Sequence, residues 1–234
     1  GMANVNCYGQ LVSPRGGIIP LLNTSQTEAS EEAVGTDLNY VGSVQAVGTF
    51  GTQQPGGFTI AKAGIIGEND VTYAFIQSAG KIKMGLPMGT GIAGGAQGLP
   101  APVPYPKALA AGDTCVVMLN AVTDRESAVT VACTSGEYHV FSVTPSGSGE
   151  QEYVSVLDGQ GIGLTLQGRT ISHWFATSGN NDAELTSTPM LLDGSGIPIG
   201  SVGFTSSGGA KAAVFQPTRT PIALNSRLVF RTDA

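Results

Sequence analysis

Apolar residues alternate with polar ones, or run together for a few positions, at 5–12, 38–50, 58–66, 71–77, 115–119, 129–133, 138–143, 153–157, 199–204, 212–215 and 227–230. Side chains on a strand point to its two faces in turn, so alternation marks a half-buried strand. A short unbroken apolar run marks one covered on both sides. Turn-forming groups punctuate the runs: Gly56-Gly57, Glu68-Asn69-Asp70, Ala79-Gly80, Asp158-Gly159 and Asp193-Gly194. Many short strands at this spacing predict an all-β fold of jelly-roll, sandwich or barrel type. One segment, 24–34, offers a helix, with Thr24 or Ser25 as N-cap and Glu28, Glu31 and Glu32 behind it. It has no apolar stripe, so a loop or a single exposed turn fits as well.

The pattern breaks over 86–112. Leu86-Pro87-Met88-Gly89-Thr90-Gly91 opens a Gly/Ala-rich stretch, and Pro100-Ala101-Pro102-Val103-Pro104-Tyr105-Pro106 follows it. A flexible piece leading into a stiffer polyproline-like one suits a connector. The expected organisation is an N-terminal β lobe over 1–85, a Gly/Pro-rich connector or arm over 86–112 and a C-terminal β lobe over 113–234. A long loop inside one domain, or an arm laid on a neighbouring subunit, are the alternatives.

Two finer expectations concern the second half. Val156-Leu157-Asp158-Gly159-Gln160-Gly161-Ile162-Gly163-Leu164 echoes Leu191-Leu192-Asp193-Gly194-Ser195-Gly196-Ile197-Pro198-Ile199, and each copy reads as strand, turn, strand. With one carboxylate per copy, neither has the oxygen donors that calcium needs. The strand-like runs 114–120 and 127–133, separated by Asp124-Arg125-Glu126, read as a hairpin. That register sets Cys115 opposite Cys133, Val117 opposite Val131 and Leu119 opposite Val129, all on the core side. Cys115 and Cys133 are then a candidate pair, bridged or as two buried thiols, with Cys7 left over.

Composition narrows the function more than it identifies it. Only 12% of the 234 residues are charged, against about 25% in ordinary soluble domains, and 34 are Gly. The net charge is −6, and the few Lys and Arg are scattered. Phosphate binding needs clustered cations, so direct base or phosphate contact with nucleic acid is not expected, nor is attraction to an anionic membrane surface. No apolar run approaches the roughly 20 residues of a spanning helix, so no membrane insertion is expected. Gly1 ahead of Met2 reads as a cloning remnant, and Ala3-Asn4-Val5-Asn6-Cys7-Tyr8 has neither the positive nor the apolar region of a secretory signal. A virion or cytoplasmic location is favoured on that ground.

No cofactor is expected. Dinucleotide and phosphate-loop glycine patterns are absent, and two His and three Cys with no CxxC or HxH spacing give no metal-ligand set. The stretch 186–200, Thr186-Ser187-Thr188-Pro189-Met190-Leu191-Leu192-Asp193-Gly194-Ser195-Gly196-Ile197-Pro198-Ile199-Gly200, resembles the segment after the nucleophile in trypsin-like serine proteases. Matching the Pro puts Thr186 at the nucleophile's place, and Glu184-Leu185 replaces the Gly-Asp before it. His139 and His173 both lie in the second half, where that family's base does not. No hydrolase activity is therefore expected to depend on Thr186, Ser187, Ser195, His139 or His173. His173 beside the only Trp, Trp174, and Tyr105 in the proline-rich stretch are the candidate ligand or interface aromatics. Tyr73, Tyr138 and Tyr153 could join a sugar-binding platform.

These observations favour a non-enzymatic structural or assembly protein that forms homo-oligomers, because subunit contacts bury the modest apolar faces of a charge-poor surface. In composition it resembles virion structural proteins. A carbohydrate-binding β module is the alternative, and a degenerate trypsin-like fold ranks behind it.

Overall fold

The computed structural model describes residues 4–20, 24–27, 44–49, 56–67, 71–79, 81–86, 101–103, 105–119, 127–143, 148–178, 189–201 and 221–232. The fold is all-β: among the described residues the strands form four antiparallel sheets, with one short helix, α1 (Ile162–Leu166). In the first sheet β1 (Asn4–Val12) pairs with β2 (Ile18–Pro20), β3 (Thr24–Thr27) and β5 (Thr59–Gly67), and β5 pairs with β8 (Ala101–Pro102). The second runs in the order β4 (Val44–Thr49), β9 (Thr114–Leu119), β6 (Val71–Ser78), β7 (Lys81–Leu86). The third runs β13 (Val154–Ser155), β11 (Tyr138–Val143), β10 (Ser127–Cys133), β14 (Ile171–Ser178). The fourth runs β12 (Gly149–Glu152), β17 (Arg227–Thr232), β15 (Met190–Leu192), β16 (Pro198–Ser201).

The third sheet is covered on both faces. Val129, Val131 and Cys133 of β10 join Phe141, Trp174, Leu191, Leu228 and Phe230 in one core, which α1 closes with Ile162 and Leu166. On the opposite face, Ala128 and Val140 pack with Phe75 of β6 and with Val156. All of residues 128–133 are consequently buried. β10 presents small side chains on that second face, where the neighbouring sheet comes close: a methyl group on Gly85 of β7 would stand 2.2 Å from Thr130 Cγ2. Thr130 itself is only 4% exposed.

The expected hairpin between 114–120 and 127–133 does not form. β9 lies between β4 and β6, where Cys115 stands opposite Gly48 and Ile76. β10 lies between β11 and β14, where Cys133 stands opposite Ile171. Cys115 and Cys133 are therefore not cross-strand partners, and Cys133 is a buried free thiol. β10 turns instead into β11 through a tight loop in which Cys133 N–H donates to Glu137 O at 2.8 Å and Gly136 N–H to Cys133 O at 2.9 Å. The same bonds recur from Ser13 to Gly17 and from Asp193 to Ile197. The fourth residue of each loop, Gly16, Gly136 or Gly196, has φ between +80 and +89°, a conformation that glycine adopts without a steric penalty.

The Asp193 copy of the repeated motif is thus strand, turn and strand, as expected. In the Asp158 copy the second strand is replaced by α1, whose Ile162 and Leu166 are one turn apart and both face the core. Of the helix candidate 24–34, Thr24–Thr27 is β3, and 28–34 lies outside the described residues.

β9 belongs with β4, β6 and β7, so the chain leaves the second sheet only after Leu119. The described part of the connector is laid along β5. Val103 N–H donates to Ala61 O at 2.9 Å and Leu109 N–H to Phe58 O at 2.7 Å, while Val103 and Leu109 are buried. Asp113 fixes its end: Oδ2 accepts from the Ala110 amide at 2.9 Å and from Lys83 Nζ at 2.6 Å.

Candidate functional site

The aromatics singled out in the sequence fall on two faces of the third sheet. Trp174 stands opposite Val131 and is fully buried in the main core, where no ligand can reach it. His173, one residue earlier, stands opposite Ala132 and faces the other way, with Tyr138 across Ala132 on the far strand. Tyr105, from the docked connector, meets this row with its ring edge-to-face on His173 at a centroid distance of 5.9 Å. The structure therefore joins Tyr105 to His173 and separates both from Trp174. Tyr153, another candidate for a platform, is a core residue against Phe230, and the Tyr73 side chain lies outside the described set.

Hydrogen bonding assigns the proton of His173. Ser172 Oγ donates to Ala132 O at 2.9 Å, so at its 3.0 Å contact with His173 Nδ1 the hydroxyl oxygen accepts. Nδ1 carries the hydrogen and Nε2 is the acceptor nitrogen. Burial lowers the pKa of His173, which keeps the ring neutral at pH 7. Tyr138 lies beneath, 3% exposed, its hydroxyl without a hydrogen-bond partner among the described residues. Burial, and after it the neighbouring Tyr105, pushes the Tyr138 phenol far up. The Tyr105 ring beside them is exposed, and its backbone is held at φ +44°.

The other histidine occupies the opposite face. His139 stands opposite Val131, and its Nε2 lies 3.2 Å from Glu137 Oε2, which also accepts from Arg169 Nε at 2.5 Å. Desolvation lowers the His139 pKa and outweighs the carboxylate's pull upward. Glu137 is lowered: burial alone would raise it, but its bonds to His139 and Arg169 prevail. Cys133, near this cluster, has its thiol pushed up to about 11 by burial and then by Glu137, so it stays protonated and unreactive at neutral pH. With His139 and His173 on opposite faces of one sheet, the two cannot serve one catalytic centre. Thr186 and Ser187 lie outside the described residues, and Ser195 sits in the β15–β16 turn.

The carboxylate of each Asp-Gly motif is occupied by its own turn. Asp158 Oδ1 accepts from Gln160 N–H at 3.0 Å, and Asp193 Oδ1 from Ser195 and Ile197 N–H at 2.8 and 2.9 Å. Among the described residues no three His, Cys, Asp or Glu side chains are placed to hold a metal ion. Nor is any described helix long and apolar enough to cross a membrane.

Sequence reasoning missed the ion pairs Lys83–Asp113, Arg169–Glu137 and Arg227–Glu150, whose members stand 30, 32 and 77 positions apart. One local signal was available: Glu150 and Glu152 alternate on a strand and so share a face. No known protein family, curated protein or solved structure matches the chain.

Proposed function

We propose that this chain is a non-enzymatic structural protein that assembles into homo-oligomers, of virion or surface type, on a jelly-roll, sandwich or barrel architecture of two β lobes. The observation that carries the reading is β2. It is bonded to β1 on one side only among the described strands, and Ile18 and Ile19 are 67% and 36% exposed there. An edge strand that presents isoleucines to water is stabilised by a further partner, and a chain with 12% charged residues has few charges to guard it. Light scattering coupled to size exclusion at high micromolar concentration should give a multiple of 23.7 kDa. Ile18→Lys with Ile19→Lys should shift that mass downward. A monomer mass for the unaltered protein overturns the proposal.

The carbohydrate-binding reading is favoured by Tyr105, whose exposed ring stands edge-to-face on His173. A glycan array with the unaltered chain and with Tyr105→Ala tests it. Signals that survive Tyr105→Ala, or no signals at all, remove it.

A further inference from the structure

At one end of the fourth sheet, α1 and the segment before β17 enclose an open cleft of about 340 Å³, lined by Glu152, Gly161, Gly163, Leu164, Leu224, Asn225, Ser226 and Arg227. Its shape depends on missing side chains. A methyl on Gly161 would stand 2.7 Å from Glu152 Oε1, and one on Gly163 would stand 2.0 Å from Leu224 O. Two apolar side chains are left in water at its walls, with Leu164 63% and Leu224 52% exposed. Ser226, also on the lining, is 3% exposed and its buried hydroxyl has no hydrogen-bond partner among the described residues.

Opposite charges lie side by side at the same cleft. Arg227 Nη2 donates to Glu150 Oε1 at 3.0 Å, and its Nε lies 3.7 Å from Glu152 Oε2. These contacts leave Arg227 Nη1 and Glu152 Oε1 without a protein partner among the described residues. Guanidinium nitrogens donate in a planar fork that matches a carboxylate, and a carboxylate oxygen accepts from an ammonium. One free donor end, one free acceptor end and an apolar wall are the complement of a zwitterion with an aliphatic tail.

We propose that this cleft binds a small aliphatic zwitterion, an α-amino acid of the leucine class or a short peptide with free termini. The ammonium meets Glu152 Oε1, the carboxylate meets Arg227 Nη1, and the side chain lies between Leu164 and Leu224. The volume is at the lower end of small-molecule sites, which limits the ligand to this size.

Titration of the full chain with L-leucine, followed by calorimetry or NMR, tests the proposal against two single-charge probes of the same tail, 3-methylbutylamine and 4-methylpentanoate. Leucine should bind saturably and each probe about tenfold or more weakly, the worth of one charge-assisted hydrogen bond. Glu152→Gln should erase the preference over 4-methylpentanoate, and Arg227→Gln the preference over 3-methylbutylamine. Gly161→Ala, which pushes the Glu152 carboxylate aside, should abolish leucine binding while the circular dichroism spectrum is unchanged. No saturable leucine binding, equal binding of the three probes, or leucine binding indifferent to Gly161→Ala each overturns it.

Discussion

Removing the carboxylate of Asp113 should destabilise the protein more than any other single charge deletion among the described ion pairs. Asp113 is 2% exposed and Lys83 17%, whereas the pairs of Glu137 with Arg169 and of Glu150 with Arg227 are 40–47% exposed. Exposed pairs contribute about 0–1 kcal/mol, but deleting one member of a buried pair costs about 3–5 kcal/mol because the other charge is left without compensation. Asp113→Ala strands the Lys83 ammonium and the Ala110 amide together, and removes the hydrogen bond from Ser78. The expected loss is therefore about 3–5 kcal/mol. Lys83→Met combined with Asp113→Ala should restore part of it, since neither charge then remains in the seam. Urea unfolding provides the measurement, with Trp174 fluorescence reporting the core of the third and fourth sheets and far-UV circular dichroism reporting all strands. The pH dependence adds a second check. Burial alone would raise the Asp113 pKa above the ordinary 3.8, but the bonds from Lys83, Ala110 and Ser78 prevail and hold it lower. A depressed carboxyl pKa contributes stability that is fully present above the unfolded value and fades as the pH falls through the folded one. The unaltered protein should thus lose stability below about pH 4 more steeply than Asp113→Ala. A loss under about 1 kcal/mol, or identical acid profiles for the two proteins, would refute the reasoning.

Gly85→Ala places a methyl against Thr130 and should cost about 1–3 kcal/mol by overpacking; adding Thr130→Ser, which deletes Cγ2, should recover most of that in thermal denaturation. Cys133 should resist alkylation at pH 8 in the folded protein and react in urea, as mass mapping of the modified peptides will show, because burial keeps its thiol protonated.

Much of the fold was legible in the chain because the alternation of side chains on a strand is a local property. Arg227–Thr232, Tyr138–Val143 and Val71–Ser78 are strands where the apolar rhythm places strands, and Asp193 closes its hairpin as the motif implies. The separation of Val129, Val131 and Cys133 from Ala128, Thr130 and Ala132 was visible too. Strand partners were not. Doubling the length of a connecting loop changes its closure entropy by only about 0.6 kcal/mol, so adjacency in sequence decides little when several apolar faces compete. β10 therefore paired with β11 and β14, not β9, and its small-residue face became an inner surface because Gly85 of β7 lets a second sheet approach. The same limit governs the candidate sites. The sequence set His173 beside Trp174, but successive strand residues face opposite ways, so only the fold could bring His173 to Tyr105, 68 positions before it. The cleft beside α1 depends on Glu152 and Arg227, which meet only because β12 and β17 pair across the fourth sheet.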